Sequence, residues 1–299
     1  MVRSEKHHYL PQFYLNGFTN ENGTFSIYDC QRKKISPKNF YPKSKFYDNR
    51  NLIEFNGVIT DIPETMYSYM DDRHKGLLKK IQASTSVPDL TIDEKLHLQE
   101  FVSTVFWRLP GNDEYYMRKY FSDPDFTKNM AIRNSQTGVV DEEKTKEIIN
   151  SDYFARSIKP FISTIQMMQS RNNLDLENWQ LVYNGQGNNI CSDNPFLFRK
   201  DNPENIFDSE FIFPLSKHHS LIRTFRRIEQ AEMNAGIMAL IELLQFSQAN
   251  IYCCCPDKGK LERTEKEVAN LTLDKSVLFK VISDKNCLNE LDRLSRTRR

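Results

Sequence analysis

The chain is poor in the features that mark unusual classes of protein. Ten glycines against 20 Phe and 13 Tyr in 299 residues exclude a disordered or low-complexity polypeptide. Neither charge sign dominates: 41 basic residues face 40 acidic ones, so no whole-molecule basic field exists to drive nonspecific nucleic-acid binding. No stretch approaches 18 uninterrupted apolar residues, and the opening MVRSEKHHYLPQFYL lacks the apolar core of a signal peptide. A chain that neither spans a membrane nor carries a secretory leader is the expectation. The phosphate-binding P-loop, G-x-G-x-x-G, G-x-S-x-G and H-E-x-x-H are all missing, which weighs against a P-loop NTPase, a Rossmann dehydrogenase, an ordinary α/β-hydrolase and a zincin. Of six cysteines, Cys253, Cys254 and Cys255 are contiguous, a spacing that suits neither a disulfide framework nor a zinc site. They read as a strand end with thiols serving as small apolar side chains, in a reducing cytoplasm.

What is present changes texture along the chain in three blocks. Residues 1–60 read as short strands and turns: Phe25 to Tyr28 alternates with a period of two, Leu52 to Phe55 is a second strand, and Asn16-Gly17, Asn22-Gly23 and Asn56-Gly57 mark turns. Residues 61–175 read as helical. Asp61, with Glu64 three residues on, opens a helix bearing Met66, Met70, Leu77, Leu78 and Ile81 on one side. Thr91-Ile92-Asp93-Glu94 is a capping box, and the apolar run from Leu98 to Leu109 that follows stops at Pro110-Gly111. A third helix near Tyr153 to Arg171 carries a kink at Pro160. Residues 176–299 return to strands, at Trp179–Tyr183, Ile190-Cys191, Phe196–Phe198, Phe211–Phe213, Leu221–Phe225, Ile251–Cys254 and Val277–Ile282. A buried helix near Glu229 to Gln248 interrupts them. An amphipathic helix through Leu288, Leu291 and Leu294 and a frayed Arg293–Arg299 tail close the chain. The pattern predicts one α+β domain over residues 1–299. Its mixed, mainly antiparallel sheet is built from the N- and C-terminal blocks, with the helical middle block packed beside it.

Several polar residues stand out. His7 and His8 adjoin an aromatic run; imidazole serves as general base, general acid or metal ligand, and in extended chain only one of the pair faces a given site. The same residues could instead tie the N-terminus to backbone. Ser192-Asp193-Asn194-Pro195 lies between two strands, as a tight connection or as a rigid loop presenting Asp193 to a metal or a histidine. Asn234 is polar beside an apolar face, and Arg108 ends the capped helix, as a bidentate anion anchor or a counter-charge to the helix dipole. His218-His219 reads as an exposed hairpin turn. From Arg32 to Lys45 there are six basic residues and no acidic one, with the aromatics Phe40 and Tyr41 among them and Phe46 and Tyr47 directly after. That mixture suits phosphates and stacked bases, or else a solvated strand edge.

Taken together, these pieces resemble the DUF4238 family, a bacterial domain of unknown function. The matching residues are His7-His8-Tyr9, Pro11-Gln12, Tyr14-Leu15 and Phe18, then Lys43 and Tyr47, Arg108 and Pro110, Ser192 to Pro195, Pro214-Leu215-Ser216, and Asn234. They span residues 6 to 255 and imply one long domain but no reaction; Lys217 replaces a proline that often follows Pro-Leu-Ser. The residues lead to an enzymatic expectation, with His7, His8 and Asp193 catalytic and Asp193 also binding Mg or Mn. Gln12, Tyr14, Lys43, Arg108, Asn194 and Asn234 would position a phosphodiester or nucleotide at the same pocket. The reaction would be nuclease-like hydrolysis in bacterial defence or a toxin-like role. The alternative is a non-catalytic binding or sensor module whose polar motifs are structural.

Overall fold

Short strands at both ends of the chain enclose a helical middle. The computed structural model describes residues 6–48, 51–55, 58–123, 127, 130–169, 175–201, 203, 205–271 and 274–284. The strands are β1 His7–His8, β2 Ser26–Asp29, β3 Lys34–Ile35, β4 Tyr47–Asp48, β5 Ile53–Phe55, β6 Val58–Thr60, β7 Trp179–Tyr183, β8 Cys191–Ser192, β9 Leu197–Phe198, β10 Phe211–Pro214, β11 His219–Arg223 and β12 Tyr252–Cys255. The helices are α1 Gln12–Leu15, α2 Ile62–Ala83, α3 Ile92–Arg108, α4 Asp113–Ser122, α5 Glu142–Ile149, α6 Asp152–Ile158, α7 Ile162–Gln169, α8 Ala235–Ser247, α9 Lys258–Ala269 and α10 Lys275–Ser283. The architecture is α+β. All the strand pairs are antiparallel, and they form two four-stranded sheets, β7-β11-β10-β9 and β3-β2-β12-β8, with two-stranded ribbons β1-β4 and β5-β6. The second sheet is the one shared between the two ends of the chain; the first is made by the C-terminal block alone.

Burial on both faces explains the composition of β10 and β11, which are buried at every position. Side chains alternate across a strand. Phe211, Phe213 and Leu221 therefore enter the main core with Tyr14, Phe18 and Phe101, while Ile212 and Ile222 enter a second cluster with Ile241 of α8 and Phe279 of α10. With no face left to water, β10 reads as a continuous apolar run, while β11 also buries the polar His219, Ser220 and Arg223. The cysteine run obeys the same rule. Cys254 faces the main core beside Ile27, whereas Cys253 and Cys255 face a third cluster with Phe246 and Leu261. All three thiols are fully buried, and desolvation pushes Cys255 up to about 12. They pack as small apolar groups.

The capping box forms as its spacing predicts: Glu94 N–H donates to Thr91 Oγ1 at 3.2 Å, and Thr91 N–H donates to Glu94 Oε2 at 2.9 Å. From Leu98 to Arg108 every side chain of α3 is buried, so this helix passes through the middle of the molecule. Other expectations need correction. The Asp61 side chain makes no capping bond to α2. Pro160 does more than kink the third helix: a 3-10 turn at Lys159–Phe161 divides it into α6 and α7. Val277 to Ile282 is helical, not a strand. Asp274 caps it by accepting from Ser276 N–H at 2.8 Å, and Leu278, Val281 and Ile282 share a buried helical face. The late helix starts at Ala235 rather than Glu229. His219 lies in β11 and is completely buried, its Nε2 3.0 Å from the Ser86 carbonyl, so the His218-His219 pair is no exposed turn. α9 escapes a periodicity reading because only Leu261 and Thr264 are buried along its length. The turn at Asn56-Gly57, the Leu288–Leu294 helix and the Arg293–Arg299 tail lie outside the described residues. No helix among the described residues is long and apolar enough to cross a membrane.

Candidate functional site

The N-terminal histidines sit on a two-residue strand. β1 pairs with β4, setting His7 opposite Asp48 and His8 opposite Tyr47, and alternation turns the two rings to opposite sides. Both are buried, at 1% and 8% exposure, so neither stands in an open pocket. The His8 ring lies 5.5 Å from that of Tyr47, and its Nδ1 is 3.5 Å from Gln12 Nε2. Burial, then the nearby Arg108 charge, hold His8 below the usual imidazole range and therefore neutral at pH 7, with the Lys43 backbone pulling partly the other way. His8 Nε2 and both His7 ring nitrogens are buried without hydrogen-bond partners among the described residues. The backbone of the neighbouring Phe46 is left-handed at φ 59°, a strained conformation for a bulky residue. Its carbonyl accepts from Tyr9 N–H at 3.1 Å, and its ring packs on Tyr9, Phe25 and Tyr252, which holds it there.

Arg108 links this strand to the helices. Its Nη1 donates to both Asp71 carboxylate oxygens at 3.0 and 2.9 Å, its Nη2 lies 3.7 Å from Glu64 Oε1, and the guanidinium sits 4.5 Å over the Tyr67 ring. Burial raises the Asp71 pKa, and Arg108 opposes that rise.

 Glu64 in turn accepts from Asn51 Nδ2 at 2.8 Å. About two helical turns from Arg108 along α3, Glu100 accepts from Thr164 Oγ1 at 2.6 Å and lies 3.3 Å from Arg73 Nη2 and 3.8 Å from His74 Nε2. Desolvation and the charges of Arg73 and His97 push His74 down to about 3. A buried polar seam thus runs between α2 and α3, from Glu64 and Asp71 against Arg108 to His74 against Glu100. Sequence reasoning found only Arg108 in it. The available signal was the spacing Glu64, Tyr67, Asp71, His74, which repeats at three and four residues along the apolar stripe of α2.

The Ser-Asp-Asn-Pro segment makes a different construction. Asp193 Oδ1 accepts from the backbone N–H groups of Asn250, Ile251 and Tyr252 at 3.0, 3.1 and 3.2 Å. Burial still raises the Asp193 pKa, the three N–H groups acting against it. The Asn194 carbonyl accepts from Ser192 Oγ at 2.7 Å and from Gln248 Nε2 at 2.5 Å, and Gln245 Nε2 donates to the Pro195 carbonyl at 2.7 Å. The motif clamps the end of α8 and the start of β12 to β8. Among the described residues, no group of three or more His, Cys, Asp or Glu is arranged to hold a metal ion.

Of the remaining candidates, Asn234 is the N-cap of α8, accepting from Ile237 N–H at 3.0 Å, rather than a polar residue on its face. Tyr14 is fully buried, donates to the Pro214 carbonyl at 2.7 Å and stacks on Phe213. Lys43 is exposed in a 3-10 turn, Pro42–Ser44. The fold therefore brings His8, Gln12, Arg108 and the Lys43 backbone together. It uses Asp193 and Asn194 in a separate clamp, Asn234 as a cap and Tyr14 in the core.

The basic stretch is the most accessible of the sequence features. Arg32, Lys33, Lys34, Lys38 and Lys43 are exposed, and Tyr41 is 56% exposed beside them. Of these cations only Arg32 forms an ion pair among the described residues, with Asp29 at 3.8 Å, and Lys34 sits opposite the same Asp29 across the β2–β3 ladder. Lys45 differs: its Nζ sits 4.3 Å over the Tyr252 ring and 4.8 Å over Phe40, which fixes it to the sheet.

No curated protein and no solved structure matches this chain. One family model does, over residues 6–271, and its span takes in the β1 histidines, the α2–α3 seam, the Ser-Asp-Asn-Pro clamp and the Asn234 cap. The chain belongs to DUF4238, a family described as protein of unknown function.

Proposed function

We propose that this chain is a non-catalytic nucleic-acid-binding module that lays the β2–β3 hairpin and the following 36–45 loop on a phosphate backbone. The observation that carries the reading is the exposed row of Lys33, Lys34, Lys38 and Lys43 around Tyr41, a residue free to stack on an unpaired base. Lysines that form no ion pair among the described residues attract phosphates and release counterions, and an exposed ring adds base stacking. The reading treats the family motifs as structural, in keeping with Asp193 Oδ1 taking three backbone N–H groups and the Arg108 guanidinium bound to Asp71. It includes a cytoplasmic location, supported by free cysteine thiols at positions 30, 191 and 253–255.

The test is fluorescence anisotropy with single- and double-stranded DNA and RNA across a salt series. Binding should weaken with salt, and each lysine that meets a phosphate should reduce the log–log slope by about 0.7 to 0.9 when replaced by alanine. Tyr41→Ala should cost single strands roughly 1–3 kcal/mol and duplexes much less. Equal binding by wild type and a Lys33→Glu/Lys34→Glu/Lys38→Glu/Lys43→Glu variant, or no binding, would leave these lysines as guards of the β3 edge. A second reading is nuclease-like hydrolysis with His8 as base, favoured by its neutral ring and unpartnered Nε2. Incubating the same substrates with magnesium or manganese decides it, since cleavage lost in a folded His8→Gln variant would replace the binding module with an enzyme.

A further inference from the structure

Away from the family motifs, a cleft of about 580 Å³ opens between the 87–90 loop, the first turns of α3, β7 and the 227–230 loop. That is the size of a small-ligand site. Its apolar lining comes from the buried Leu90, Leu98, Trp179 and Ile228, with Leu181 partly buried among them.

The edge of a sheet forms one wall. β7 is an outer strand and pairs only with β11. At its end, Tyr183 N–H donates to Gln230 Oε1 and the Tyr183 carbonyl accepts from Gln230 Nε2, both at 2.8 Å, so the main chain of Tyr183 faces away from β11. In an antiparallel ladder alternate residues face the same way. Leu181 and Trp179 consequently present their N–H and C=O groups to the outer edge, at the cleft. No hydrogen bond outside the β7–β11 ladder involves the Leu181 main chain among the described residues.

We propose that this cleft binds a short extended peptide, which adds to β7 as a strand through the Leu181 main chain. A donor and an acceptor side by side on a strand edge complement peptide backbone. The apolar lining receives a side chain. The charges complete the match: Lys95 and Arg227 line the cleft without an ion pair among the described residues, and so do Asp89, Glu177 and Glu229. A chain with both signs of charge satisfies that rim, whereas a nucleotide would set its phosphates against three carboxylates. Because Gln230 closes the edge at Tyr183, the open stretch accepts about three residues at 3.3 Å each, the length of a short peptide.

The chain has two tryptophans, and Trp107 is in the core at 1% exposure while Trp179 lines the cleft, so Trp179 emission reports on occupancy. The probes are unblocked Lys-Leu-Glu, Glu-Leu-Lys and Ala-Leu-Ala tripeptides, each also made with one or the other amide nitrogen methylated, and AMP for comparison. The expected result is saturable binding of a tripeptide that weakens about tenfold when the amide facing Leu181 is methylated. Leu181→Pro removes the same contact from the protein side at an edge position where proline is tolerated, and should weaken binding comparably. No binding by any tripeptide at millimolar concentration overturns the proposal. So does equal binding of parent and both methylated forms, or AMP binding as tightly as the peptides. The methylated peptides act on the unaltered protein, so the outcome does not depend on Leu181→Pro folding.

Discussion

Asp193 shows what a single carboxylate does when it is placed between two strands and a helix end. One of its oxygens satisfies three consecutive backbone N–H groups where the chain leaves α8 and enters β12. Asp193→Ala should therefore lower stability by about 3 kcal/mol, since each buried donor left unmade costs about 1–3 kcal/mol and the loop relaxes in part. Asp193→Asn keeps an acceptor oxygen and should lose under about 1 kcal/mol. Urea midpoints at constant m-value separate the two variants. If Asn is as damaging as Ala, the charge matters and a ligand at Asp193 comes back into view. The residue type and its turn setting were legible in the sequence; its partners, more than fifty residues away, were not. Asn234 follows the same logic at shorter range. It precedes an apolar run, which reads as a polar residue on a buried face, but the boundary of α8 falls after it and makes it a cap.

At the scale of elements, the α2–α3 seam is where sequence reading stopped short. Amphipathic spacing located both helices, and the Thr91–Glu94 box fixed the start of α3. Periodicity reports which face is buried, not that the buried face of α2 also carries Glu64, Asp71 and His74. These polar groups survive there because α3 supplies Arg108 to the two carboxylates and Glu100 beside the neutral His74. Arg108→Ala should destabilise by about 3–5 kcal/mol, because it strands the Asp71 carboxylate in a desolvated place. Arg108→Met combined with Asp71→Leu removes both charges and keeps volume, and should recover most of that loss. Chemical denaturation of the single and double variants measures the coupling. A double variant no more stable than Arg108→Ala would mean that Arg108 acts through packing on Tyr67 rather than through the ion pair.

The molecule as a whole buries three histidines whose pKa values are lowered first by desolvation: His8 between β1 and α3, His74 in the seam, and His219 in β11. They lie in three different elements of one α+β fold, so no single loop can release them. In the unfolded chain each titrates at its ordinary value of 6.5, while in the folded protein His74 stays neutral down to about 3. Below pH 6.5 the unfolded chain thus binds protons that the folded one refuses, and stability must fall as pH falls. Each such histidine contributes a slope of up to about 1.4 kcal/mol per pH unit, fully present for His74 until the pH nears its folded value. The buried carboxylates of Asp71, Asp193 and Glu242 oppose this, since their raised pKa values let the folded state take up protons first. Each carboxylate compensates between its raised folded value and its unfolded value of 3.8 or 4.5, and adds nothing further below that. The expected outcome is a urea midpoint that drops steadily between about pH 7 and about pH 5, with a visibly shallower drop in His74→Gln, where one of the three titrations is gone. A midpoint that is flat or rises over that interval would mean that the folded protein protonates these imidazoles readily, and that the seam between α2 and α3 opens to water.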